Sequence, residues 1–181
     1  LKSEAAGVDA VVAEGFEAGG HNGRDETTTL CLIPQVAKRI NIPLIAAGGI
    51  ATGRAMLAAL NLGADGVQIG SRFVASVESS AHDAFKNEVI ESKEGDTILT
   101  LKELTPVRLI KNEFYDSIEE AYKNGADSSE LKTLLGRGRA KKGMFEGNIK
   151  DGELEIGQIS GLINEIKPAA QIVNEIVSEY R

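Results

Sequence analysis

The chain has 181 residues, 42% of them hydrophobic, and no run of about 18 apolar residues that could cross a membrane. Its 27 acidic against 20 basic residues leave a net charge of -7. A nucleic-acid backbone or an anionic membrane would need a basic face, so a small molecule is the expected partner. A single cysteine, Cys31, excludes an internal disulfide, and the N-terminus lacks a signal-peptide layout, so a cytoplasmic location is expected.

The chain opens on LKSEAAG, which has no initiator Met and looks like the end of a helix, so a preceding portion is expected. Three apolar runs follow: Val8 to Ala13, Ile42 to Ala47 and Asp65 to Ile69, each ending in a glycine-containing loop. Short, nearly continuous apolar runs are what strands buried on both faces of a parallel sheet require. Between them, Ile33, Val36, Ala37 and Ile40, then Ala55, Ala58, Ala59 and Leu62, fall at helical spacing and predict two crossover helices.

This tempo leaves a closed barrel or an open doubly wound sheet. A (β/α)8 barrel needs about 250 residues, so three strands would supply only its last portion. Such a piece would depend on the missing portion or on a partner, a homodimer included. Residues 1–75 are therefore expected to be the last βα units of a barrel. Residues 76–181 are expected to be a helix-rich appendage, with helices over Ser80 to Ser92, Ser117 to Asn124 and Ala169 to Tyr180. The last would dock through Ile172, Val173, Ile176, Val177 and Tyr180, while Arg137 to Gly152 reads as a basic loop or cap.

The loops after the second and third strands, Ala47-Gly48-Gly49-Ile50 and Ile69-Gly70-Ser71-Arg72, lie where an α/β fold binds ligands. Their glycines can bring backbone N–H groups close to a phosphate, or can simply make tight turns. The first loop, Glu14 to Gly23, holds His21, a candidate base or hydrogen-bond donor, with a purely structural loop histidine as the alternative. Glu17 could orient His21 or cap the loop. Cys31 reads as a small buried hydrophobe and His82 as a surface residue at a helix start. Arg137, Arg139, Lys141 and Lys142 read as a solvated loop or a contact for an anionic cofactor or carrier. No Cys/His cluster has metal-ligand spacing, so no metal site is expected.

The run Glu14-Gly15-Phe16-Glu17-Ala18-Gly19-Gly20-His21-Asn22-Gly23, then Ile42 to Ile50, then Gly63 to Phe73, resembles the nitronate monooxygenase (2-nitropropane dioxygenase) family. That family includes the flavin-dependent enoyl-acyl carrier protein reductases. The tail segment Gly157 to Gly161 resembles its closing Gly-Gln segment. The resemblance implies a TIM-type barrel holding FMN. Its phosphate would rest around Gly48, Gly49, Gly70 and Ser71, with Gly19 and Gly20 beside the flavin, Gln68 near the ring or ribityl chain, and His21 as the catalytic residue. The implied activity is oxidation of nitronates by O2; the alternatives are an enoyl reductase fed by NAD(P)H and a non-catalytic flavin-binding half-barrel. The chain is also similar to the inosine-monophosphate dehydrogenase type of barrel, which ranks lower because Cys31 does not lie in a glycine-rich loop.

Overall fold

The computed structural model describes residues 1–181. In chain order the elements are α1 (Lys2–Ala5), β1 (Val11–Glu14), β2 (Gly20–His21), α2 (Thr29–Ala37), β3 (Leu44–Ala47), α3 (Gly53–Asn61), β4 (Gly66–Gln68) and α4 (Ser71–Val74). They continue with α5 (Asp83–Glu91), β5 (Thr97–Thr100), β6 (Val107–Ile110), α6 (Glu113–Lys123), α7 (Ser128–Leu135) and α8 (Ala169–Tyr180). A π-helical turn (Lys141–Phe145) and a 3-10 turn (Gln158–Leu162) lie between α7 and α8. The three predicted strands and their crossover helices are all present, each strand shorter at its start than the apolar run that signalled it.

β1, β3 and β4 form a parallel sheet in sequence order, with Val12 beside Ile45 and Ala47 flanked by Glu14 and Gln68. Because side chains alternate along a strand, one face carries Ala13, Ala46 and Val67 and the other Val12, Glu14, Ile45, Ala47 and Gln68. The first face packs with Ile33 of α2 and Ala59 of α3 into an apolar core. Val12, on the second face, is 50% exposed. The sheet does not close, and β1 and β4 are its edges.

A second sheet, unsignalled by the sequence, runs antiparallel in the order β2-β6-β5. Its first strand belongs to the glycine-rich loop after β1, while β5 and β6 lie within the helix-rich region after Phe73. β2 contributes just Gly20 and His21, opposite Arg108 and Val107. The same edge of β6 continues into Leu154 and Glu155: Ile110 N donates to Leu154 O at 2.9 Å, and Leu109 bridges Glu155. One apolar core lies between α5 and the 154–163 segment, another under α6 and α7.

α8 docks on α3, but by a narrower stripe than its spacing predicts. Ile172 and Ile176 are buried, whereas Val173, Val177 and Tyr180 stay 47%, 36% and 36% exposed. The close crossing depends on Gly53, where an added Cβ would lie 2.2 Å from Ile176 O, and Gly53 N donates to Glu179 Oε2 at 2.8 Å. No helix is long and apolar enough to cross a membrane.

Candidate functional site

The loops after β1, β3 and β4 converge on one cleft of about 230 Å³. Gly19, Gly20, Gly48, Gly49, Gln68, Gly70 and Ser71 all line it, so every residue expected to hold a cofactor lies on a single wall system. Glu14, Val74, Met144, Glu155 and Ile156 are among its other lining residues.

Local physics explains the convergence. Gly48 has φ +90, and a Cβ there would lie 2.7 Å from Gly15 O, so the turn after β3 needs glycine for both conformation and space. The carboxylate of Glu17 accepts from Thr29 N at 2.9 and 3.1 Å, placing negative charge on the N-terminus of α2. Thr29 Oγ1 lies 3.0 Å from Glu17 Oε2 and 2.9 Å from Gly48 O, joining the first loop to the second. Glu17 therefore caps a helix and does not orient His21. The Gly-Gln segment joins the first loop to the third: Gly157 N donates to Ser71 Oγ at 3.0 Å, and Gln158 N to Glu17 O at 2.9 Å.

The N–H groups of Gly19, Gly48, Gly49 and Gly70 donate to no protein acceptor. Four free amides on the wall of one cleft, with the Ser71 hydroxyl beside them, suit an anionic group such as a phosphate. The residues present therefore fit the phosphate end of a flavin nucleotide.

His21 lies elsewhere. It is exposed on β2 and lines an adjoining cleft of about 280 Å³ with Leu101, Leu104, Val107, Leu135, Arg139 and Glu153. Asn22 braces its turn, Nδ2 donating to Ala18 O and Gly20 O at 3.0 Å and N to Pro106 O at 2.8 Å. The two clefts share one lining residue, Glu155. Burial pushes its carboxyl above the usual range, with His21 pulling the other way. Glu153, two residues earlier and 6% exposed, is pushed up to about 7 by burial and by Glu155, against the opposing pull of Arg139.

Sequence reasoning missed Arg108. Its guanidinium is buried, donates to Phe16 O from Nε at 3.2 Å and Nη2 at 3.0 Å, and lies 4.5 Å from the centre of the Phe16 ring. It clamps the loop before His21 across 92 residues of sequence, and a lone arginine inside VRLI carries no signal of that role. Glu153 and Glu155 were legible in principle: they alternate with buried Leu154 and Ile156 immediately before the Gly-Gln segment.

The weaker candidates resolve plainly. Cys31 is exposed, contrary to expectation, because α2 buries Thr29 and Ile33 and turns Cys31 away. His82 caps α5, its Nδ1 accepting from Ala84 N at 3.1 Å. Three cations of the basic stretch have partners within the chain, while Arg137 is exposed without one. Arg139 donates to the carbonyls of Leu134, Leu135 and Asp151, Lys141 pairs with Glu146 at 3.2 Å, and Lys142 with Asp151 at 3.2 Å.

A model of the family described as nitronate monooxygenase matches residues 1–179. The chain belongs to the nitronate monooxygenase family. It is 37% identical to a probable nitronate monooxygenase of Staphylococcus saprophyticus over 97% of its own length and 52% of that protein's. Among solved structures it is similar to FabK from Thermotoga maritima, at 42% identity and TM-score 0.89 over 99% of this chain and 56% of that one. It is also similar to the nitroalkane oxidase from Streptomyces ansochromogenes, at 32% identity and TM-score 0.78 over 99% and 53%. The chain thus spans about half the length of these relatives.

Proposed function

We propose that in the whole protein this chain supplies the closing βα units of a (β/α)8 barrel and the phosphate end of its FMN site. In this reading the holoenzyme oxidises nitronates with O2. The observation that carries it is the meeting of three loop ends, with their free glycine amides, in one cleft that adjoins the cleft of His21. The open edges β1 and β4 are where the remaining strands would pair, which makes that remaining portion the required partner whether or not the whole protein is a homodimer.

Gly19, Gly48, Gly49, Gly70 and Ser71 would hold the phosphate, and Gln68, in register with Ala47, would face the ribityl chain or ring. Bound FMN supplies the electron-accepting ring, while the protein supplies position, charge and proton handling. His21 hydrogen-bonds the nitro oxygens of a nitronate or takes the proton from a neutral nitroalkane.

A second reading, reduction of an enoyl thioester with NAD(P)H as electron donor, is favoured by the apolar wall of the His21 cleft, where Leu101, Leu104, Val107, Leu135 and Ala140 would suit an acyl chain. Anaerobic visible absorbance of the full-length holoenzyme separates the two. Bleaching of the flavin bands by a nitronate is the expected result. Bleaching only by NAD(P)H, with reoxidation by an enoyl thioester, establishes the second reading, and a full-length protein that takes up no FMN overturns both.

A further inference from the structure

The mechanism so far leaves Glu155 without a task, although it is the one side chain on both cleft walls. Its place is fixed by backbone pairing, because Glu155 bridges Leu109 while β2 pairs with Val107 and Arg108. His21 and Glu155 therefore lie along the same edge of β6, opposite Val107 and Leu109, with the Gly20–Arg108 pair between them. The carboxylate reaches over the residue before His21: a Cβ added to Gly20 would lie 2.6 Å from Glu155 Oε2. Gly20 has φ +74, a conformation that favours glycine there. No protein group donates a hydrogen bond to this half-buried carboxylate, which leaves its charge available to the histidine.

We propose that Glu155 is a positioning residue for His21. Its carboxylate stabilises the imidazolium that forms when His21 takes a proton from the carbon bearing the nitro group of a neutral nitroalkane. The inference rests on the reading of His21 as a base. In the step, the C–H bond breaks, an N–H bond forms on His21, and the electron pair stays on the substrate as its nitronate. The proton then leaves the imidazolium for water.

The charged groups around Glu155 are few. Glu153 lies on the same extended segment, His21 on β2, and Glu14 across the cofactor cleft. Arg139 lies across the second cleft, but its guanidinium is engaged by the α7 carbonyls and the Phe114 ring. His21 is thus the cationic partner left to Glu155.

The test uses the full-length holoenzyme, with nitroethane as the neutral substrate and preformed ethylnitronate as the substrate that needs no deprotonation. Glu155→Gln is expected to lower kcat on nitroethane about tenfold and move the basic-form limb of its pH profile, with a smaller loss on ethylnitronate. Glu155→Asp is expected to recover part of the loss. NMR titration of histidine-labelled protein, with the His21 signal identified by its loss in His21→Gln, is expected to show the His21 midpoint falling by about half a pH unit in Glu155→Gln. An unmoved midpoint, or equal losses on both substrates, overturns the proposal. If the unaltered enzyme turns over neither substrate, the nitronate reading falls by itself, and the His21 midpoint alone decides the pairing. Should Glu155→Gln lose its flavin bands, the same titration in Glu155→Asn, with an unmoved midpoint counting against the pairing, takes its place.

Discussion

The two walls of the site are built on different principles. The glycine wall rests on the ends of three parallel strands whose partners follow one another along the chain, and each loop needs only backbone freedom to reach the cleft. The histidine wall rests on a two-residue strand paired with β6 far along the chain, clamped by a buried arginine and extended by the 153–156 segment. A cradle of backbone amides comes from local turns, whereas a side-chain site of this kind needs long-range contacts.

Four substitutions sharpen that contrast. The largest effect is expected at Arg108. Arg108→Met in the full-length protein removes the donors to Phe16 O from a buried site and should cost about 3 kcal/mol in denaturant unfolding. Histidine-wall geometry should suffer with it. A loss below about 1 kcal/mol would mean that the clamp contributes little.

Glu153→Gln is expected to have a smaller effect, and one that depends on pH. The native carboxyl titrates near 7, against a reference value of 4.5 for the unfolded chain. Below pH 4.5 both states are protonated, so ionisation of Glu153 takes nothing from stability there. Stability falls as pH rises from 4.5 towards 7 and the unfolded state alone has released the proton, then levels off. The glutamine variant should lack that part of the fall, on the order of 2 kcal/mol, in unfolding measured across the window. Parallel curves for the two proteins would show that Glu153 is better solvated than its burial implies.

The smallest stability change belongs to Gly70→Ala, because a Cβ at Gly70 meets nothing within 4 Å and its φ is -101. Stability should change by less than about 0.5 kcal/mol, while FMN affinity, read by flavin fluorescence, should fall as the methyl group crowds the amide cradle. Gly48→Ala is the contrasting case. Its φ of +90 and the approach to Gly15 O should cost about 2 kcal/mol before any ligand is considered. If Gly70→Ala leaves FMN affinity unchanged, this cradle is not where the phosphate rests.

The physical reasons for what was legible differ by residue. Ala13, Ala46, Ile33 and Ala59 announced the first core because strand and helix periods repeat within a few residues. Cys31 was misassigned because Leu30 and Leu32 suggested an apolar neighbourhood, yet Leu30 itself is 67% exposed and the buried stripe follows Thr29 and Ile33. In α8, Ile172 and Ile176 were placed correctly, but only the crossing at Gly53 decides which half of the stripe is covered. The charges of Arg139, Lys141 and Lys142 were visible in the sequence, but the backbone carbonyls, Glu146 and Asp151 that engage them were not.

By itself the sequence determined a parallel βα pattern, glycine turns able to present amides at strand ends, and family membership through the spacing of three motifs. Each of these depends on interactions spanning a few residues, where steric and hydrophobic rules act without knowledge of the rest of the chain. The tertiary structure decided that Gly20 and His21 form a strand, that Arg108 clamps the loop before them, and that Glu155 stands between the two clefts. Those outcomes depend on which distant segments share the β6 edge, and composition and periodicity carry no record of a pairing between remote residues.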